Sequence, residues 1–344
     1  MPLHHFEQGD QLMASEISHY LAEAITPWGI RDFYPDLLSR AETVIVLSHS
    51  SPHLVSAILH QYVVTAVLPH QAQVFHSALN PECLVAVLVD NRICITSPGI
   101  ISGDMHTMAR NILTIPVEAD PGSLGSELAP LPNRVPALLG MAKAVRDEIS
   151  ERVQQSLDAE KIAETRNHLK SYLMASGSED GIASHYFGST LSARGWAMFL
   201  SDAFRGMLHQ IRFEGPLGMD HTSLIRWFAE RAMLQGFDVQ LFHCEWDPSQ
   251  IDHVVIPSLS IGLTLATAPH AMNGSPRDEI INMSSWQKEP PSQDLWDLYS
   301  SYRTALSCAQ EWLSGNGDVK TFSKTLVAST LSALNTTAAS LLAS

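Results

Sequence analysis

The chain contains itself twice, and that repeat constrains its fold more than any other feature. VFHSALNP at 74–81 returns as LFHCEWDP at 241–248. Phe75, His76 and Pro81 recur 167 positions later as Phe242, His243 and Pro248. Upstream, HYLAEAITPWGIRDF (19–33) returns as HYFGSTLSARGWAMF (185–199). There His19, Tyr20, Gly29 and Phe33 fall on His185, Tyr186, Gly195 and Phe199, at an offset of 166. Identities held in register across one single-residue slip mark a duplication. The period is too long for a solenoid, whose units run about 20–50 residues. The chain therefore reads as two units, 1–175 and 176–344, joined near the loop-like SGSED stretch at 176–180.

Each unit repeats one order of elements. In the second, IRFEG (211–215) reads as a strand, and Leu224, Trp227, Phe228, Met233 and Leu234 recur at helical spacing. Gly236 stands where that helix would stop. FDVQLFHC (237–244) alternates as a strand does, and VVIPSLSIGLTLAT (254–267) is further strand material. The first unit follows suit with TVIVLS (43–48), HLVSAILHQYVVTAV (53–67), AQVFHS (72–77) and LVAVLVDNRICITSP (84–98). Strand–loop–helix–strand order predicts an α/β fold with a parallel sheet flanked by helices in each unit. Apolar stripes at 136–174 and 292–314 predict amphipathic helices that cover the sheets or join the units. The C-terminal TLVASTLSALNTTAASLLAS reads as a closing helix.

Composition narrows the function classes. A hydrophobic content of 45% with 17% charged residues describes a folded core. The formal charge of −15 argues against a nucleic-acid partner or an anionic lipid surface, which both attract concentrated positive charge. The four cysteines form no CxxC pair, so free thiols in a reducing compartment are expected. MPLHHFEQGD lacks the marks of a signal peptide, and no apolar run is long enough to span a bilayer. A cytoplasmic protein without a membrane partner is the expectation.

One segment carries a chemical signature. GPLGMDHTS (215–223) lies between an expected strand and an expected helix, where a Walker A loop reads G-x-x-x-x-G-K-[ST]. In such a loop backbone N–H groups and the helix N-terminus hold phosphates, lysine reaches the terminal phosphates, and the hydroxyl meets Mg²⁺. Gly215, Gly218, Thr222 and Ser223 fit the pattern. Asp220 replaces the second glycine and His221 replaces the lysine. A carboxylate repels phosphate, and histidine is shorter than lysine. IGLTLATAPH supplies no acid after its strand to help hold Mg²⁺, and the first unit has only SHSSPHLV (48–55) at the loop.

Together these motifs resemble the tandem P-loop ATPase-like proteins of Gram-positive bacteria. Units of that group carry a TPKG turn, a GPPGTGKST loop, an FHC–DP segment, a strand ending TAPH, and DEIINL. This chain offers ITPWG (25–29) and LSARG (191–195), VFHSALNP and LFHCEWDP, TAPH (267–270), and DEIINM (278–283). The resemblance covers most of the chain and implies two tandem P-loop-NTPase-like units with nucleotide chemistry. The departure is at the catalytic element, where GKST becomes DHTS.

Three functional expectations follow. The first is a degenerate P-loop protein without efficient hydrolysis, acting as a binding, regulatory or structural partner. The second is a divergent ATP-binding protein or ATPase that uses Gly215, Gly218, Asp220, His221, Thr222 and Ser223, with ATP and Mg²⁺ as cofactors. The third is a metal protein built on the repeated Phe-His strand, where His243, Cys244, Asp247, Asp252 and His253 imitate a ligand cluster. Against the third, each strand-end histidine has a simpler use, satisfying a buried carbonyl in a loop common to both units.

Overall fold

The computed structural model describes residues 17–67, 70–101, 110–117, 130–173, 180–219, 221–267, 277–289, 292–314 and 324–343. The first repeat runs β1 (Ile17–Tyr20), β2 (Glu23–Thr26), β3 (Gly29–Asp32), α1 (Tyr34–Ser39), β4 (Thr43–Ser48) and α2 (Pro52–Thr65), then β5 (Ala72–His76), β6 (Leu84–Val89), β7 (Ile93–Thr96) and β8 (Asn111–Pro116). Two helices follow, α3 (Arg134–Gln154) and α4 (Ala159–Lys170). The second repeat runs β9 (Ala183–Phe187), β10 (Thr190–Ser192), β11 (Gly195–Ala197), α5 (Leu200–Ala203), β12 (His209–Glu214) and α6 (His221–Met233), then β13 (Val239–His243), β14 (Ile251–Ile256), β15 (Ile261–Leu265) and β16 (Glu279–Asn282). It too ends in two helices, α7 (Gln293–Leu313) and α8 (Lys324–Leu342).

The two six-stranded sheets have the same order: β1-β5-β6-β7-β4-β8 and β9-β13-β14-β15-β12-β16. The duplication is thus visible in topology as well as in sequence. The sheets are mixed, which corrects the expectation of a parallel one. β1 with β5, β4 with β7 and β4 with β8 are parallel, but β5–β6–β7 is an antiparallel meander, and the second sheet repeats this. The cause is a tight reversal between β6 and β7. Asp90 and Asn91 both adopt left-handed backbone in the three-residue connection 90–92, at φ 50° and 53°, and the Arg92 N–H donates back to the Val89 carbonyl at 2.9 Å. β4 itself is a run of β-branched and apolar residues, buried except at its last position, as a strand covered on both faces requires.

The retained glycines sit at matching turns. Gly29 and Gly195 close the β2–β3 and β10–β11 hairpins at φ 93° and 99°. A β-carbon disfavours that backbone region, so glycine survives in both copies.

The helices after the first repeat, and α8 after the second, pack on the other copy, while Leu295 of α7 stays in the core of its own. Ile149 and Val153 of α3 and Leu169 of α4 share a core with Ile211, Phe213, Leu224 and Phe228 of the second repeat. Val327, Leu334 and Ala338 of α8 pack with Leu47, Leu54 and Ile58 of the first. The boundary expected near 175 lies in 174–179, outside the described residues. No helix among the described residues is long and apolar enough to cross a membrane.

Candidate functional site

The repeated motifs meet each other. Leu21 and Phe187, equivalent residues of the two copies, form an antiparallel bridge. The Phe187 N–H donates to the Leu21 carbonyl at 2.8 Å. Beside them the equivalent Tyr20 and Tyr186 stack at 4.5 Å between ring centroids. The His19 N–H donates to Asp202 Oδ2 at 3.0 Å, and the His185 N–H donates to Asp36 Oδ2 at 3.1 Å. Phe199 stacks on His76 at 4.0 Å, and Phe33 lies 4.6 Å from His243. Each copy therefore sends its phenylalanine and its aspartate onto the other. The motifs at 19–33 and 185–199 are two halves of one pseudo-symmetric joint.

The Phe-His strand serves that joint. His76 Nδ1 lies 2.6 Å from the Pro81 carbonyl, and His243 Nδ1 lies 2.7 Å from that of Pro248. A carbonyl only accepts, so Nδ1 carries the proton in both rings. Each Nε2 then accepts from a second histidine: His19 Nδ1 at 2.7 Å and His185 Nδ1 at 2.9 Å. Burial pushes both His76 and His243 down to about 4. Asn80 and Asp247 complete the loops by accepting the N–H groups of Glu82 and Ser249. The FH–DP signature is a loop closure made twice, and among the described residues neither histidine belongs to a group that could hold a metal ion.

The loop at 215–223 is built at the carboxyl end of β12, between two parallel neighbours, β15 and β16. Ligands of open α/β sheets bind at such ends. The loop opens on a cavity of about 480 Å³. Residues 216–219 and 221–223 line it, with Arg146, Ser150, Arg226, Trp227, Asp252 and Tyr302. α3 and α7 thus roof a cavity whose floor belongs to the second repeat.

Each expected loop residue has a definite place, save one. A β-carbon on Gly215 would stand 2.9 Å from Met283 Cβ. Gly218 has φ 95°, and a β-carbon there would stand 2.9 Å from Ile149 Cγ2 and 3.2 Å from Ser150 Cα. Gly218 lets the loop pass under α3, and Gly215 lets it pass Met283. Asp220 lies outside the described residues. His221 opens α6 with its ring between two acceptors, the Met219 carbonyl at 3.1 Å and Asp252 Oδ1 at 3.1 Å. Thr222 Oγ1 is 3.3 Å from His221 Nε2, and Ser223 lines the cavity. Thr267, just past β15, donates to the Gly215 carbonyl at 2.8 Å and braces the loop. The first repeat has no such loop. Ser51 caps α2 by accepting the Leu54 N–H, and Pro52 follows it.

Two acids near the loop escaped the sequence reading in part. The sequence groups Asp252 with His243, Cys244, Asp247 and His253 and leaves Glu245 out. In the fold, Asp252 meets His221, and one of its carboxylate oxygens lies within 4.8 Å of ligand atoms of Cys244 and Glu245. Arg146 from α3 reaches the same point, with Nη1 3.0 Å from Cys244 Sγ. The antiparallel pairing of β13 with β14 brings Glu245 and Asp252 together, a neighbourhood that a parallel reading of the strands does not give. Compared with known proteins, the chain matches no family model, no curated protein and no solved structure.

Proposed function

We propose that the chain is a degenerate P-loop NTPase-like protein that does not hydrolyse nucleotide efficiently and acts through binding, in a regulatory or structural role. The observation that carries this reading is His221. A working loop needs a flexible cation there that reaches terminal phosphates. Here the ring is held between the Met219 carbonyl and Asp252. The position of the loop after a parallel strand and before α6 supports descent from a phosphate-binding element. The plain capped turn at Ser51 supports loss of that element in the first repeat.

A second reading rests on the cavity. Its floor is the loop itself, and Arg146, Arg226 and Trp227 line it. Those groups suit an anionic ligand with an apolar or aromatic part, so a divergent nucleotide-binding protein is the alternative. Thermal melting with Mg-ATP separates the two. At about 0.1 mM ligand a micromolar site adds about 2.7 kcal/mol and a millimolar site almost nothing. The degenerate reading expects no shift, and a rise of several degrees supports the alternative.

A further inference from the structure

Beside the loop, three metal-competent side chains converge. Cys244 and Glu245 follow β13, and Asp252 comes from the neighbouring β14. One ligand atom from each lies within 4.8 Å of the others. All three are buried, with exposures of 0%, 0% and 3%. Both carboxylate oxygens of Glu245 are buried and make no well-formed hydrogen bond, the Ser189 hydroxyl approaching them without satisfying either. A buried acid left in this way demands a proton or a cation.

We propose that Cys244, Glu245 and Asp252 bind one zinc ion, with a fourth position open to the cavity and filled by water. The donor set selects the metal. A thiolate with carboxylates suits zinc, whereas calcium and magnesium take oxygen ligands alone. Zinc–sulfur and zinc–oxygen bonds of about 2.3 and 2.1 Å require the three donors to draw in slightly. Binding releases the Cys244 thiol proton and the proton that burial keeps on Glu245. The two positive charges of the ion, with that of Arg146, balance one thiolate and two carboxylates.

The surroundings fit such an ion. His221 Nε2, 3.1 Å from Asp252 Oδ1, stands where an outer partner orients a ligating carboxylate. Asp252 and Arg146 line the cavity, so the cluster has an entry path. The first repeat has nothing equivalent: Ser77, Ala78 and Val85 occupy the matching positions. There a different acid, Glu23, takes the Ala78 N–H and the Tyr34 hydroxyl. The cluster is thus confined to the repeat that keeps the glycine loop.

The test is a zinc titration of the full-length, chelator-stripped protein at pH about 7.5 against a chromophoric competitor. The expected result is one zinc per chain, bound more tightly than about 1 μM. Cys244→Ser and Glu245→Gln should each weaken binding at least about tenfold, while Ser77→Ala leaves it unchanged. Cobalt loaded in place of zinc should show a thiolate charge-transfer band that Cys244→Ser abolishes. Circular dichroism confirms that each variant is folded. No saturable binding, or zinc bound equally well by the Cys244 and Glu245 variants, overturns the proposal. So does cobalt without the thiolate band. The proposal stands apart from the nucleotide reading, which none of these results affects.

Discussion

Glu245→Gln should stabilise the metal-free protein, against the usual outcome of changing a fully buried residue. Burial, with the Asp252 carboxylate adding to it, pushes the Glu245 carboxyl from 4.5 up to about 8. The sign follows from linkage. A carboxyl whose folded value is raised contributes stability below its unfolded value and loses it as pH rises toward the folded one. At pH 7 the unfolded chain gains by ionising Glu245, and the fold does not. Two and a half units at about 1.4 kcal/mol each give roughly 3 kcal/mol, so a range of about 2–4 kcal/mol is expected. Glutamine has nearly the same shape and no charge to lose, and neither oxygen of Glu245 has a well-formed hydrogen bond to forfeit among the described residues. Urea unfolding in chelator at about pH 5 and pH 7.5 reads the difference. The variant should gain little at the lower pH and about 2–4 kcal/mol at the higher. Equal destabilisation at both values would show that the carboxylate is satisfied in the fold, refuting the argument. With zinc present the order should reverse, because the wild-type carboxylate then has its cation.

The pseudo-symmetric joint yields an uneven pair. Tyr186 accepts from Arg40 Nη1 at 2.8 Å and donates to Gln73 at 3.1 Å, whereas Tyr20 has no charged hydrogen-bond partner among the described residues and meets Gln240 at 3.5 Å and Ser18. In urea unfolding Tyr186→Phe should cost about 1.5–3 kcal/mol, the value of a hydrogen bond to a charged group, and Tyr20→Phe under about 1 kcal/mol. The joint should also be acid-sensitive. His76 and His243 are buried neutral at about 4, against 6.5 when free. Their contribution is full above about 6.5 and is lost as pH falls toward 4. A pH series of melts should show the loss in that window. A His76→Gln/His243→Gln variant should flatten the profile, and an unchanged profile would remove the histidines from the explanation.

The sequence showed the repeat because the residues that recur do one job in both copies. His76 and His243 close matching loops, and Gly29 and Gly195 make matching turns, so their chemistry could not drift. It did not show which strands run antiparallel. The evidence was the Asp90-Asn91 pair, embedded in an apolar run that reads as continuous strand. Nor could the stripe Val145, Ile149 and Val153 tell which repeat it covers. A helix's apolar face specifies burial but not the partner, and here the partner is the other copy. The acid cluster stayed hidden for a related reason: Glu245 and Asp252 become neighbours only through the β13–β14 pairing.

In the proposed reading, the loop at 215–223 descends from a phosphate cradle and has lost its grip. Isothermal titration of Mg-ATP into the wild-type protein and into Asp220→Gly/His221→Lys tests it most directly. The account predicts wild-type binding no tighter than about 1 mM, near −4 kcal/mol. It predicts at least a tenfold gain in the double variant, about 1.4 kcal/mol, with hydrolysis still poor. Micromolar binding by the wild-type protein would contradict the loss, and no gain on repair would contradict the lineage.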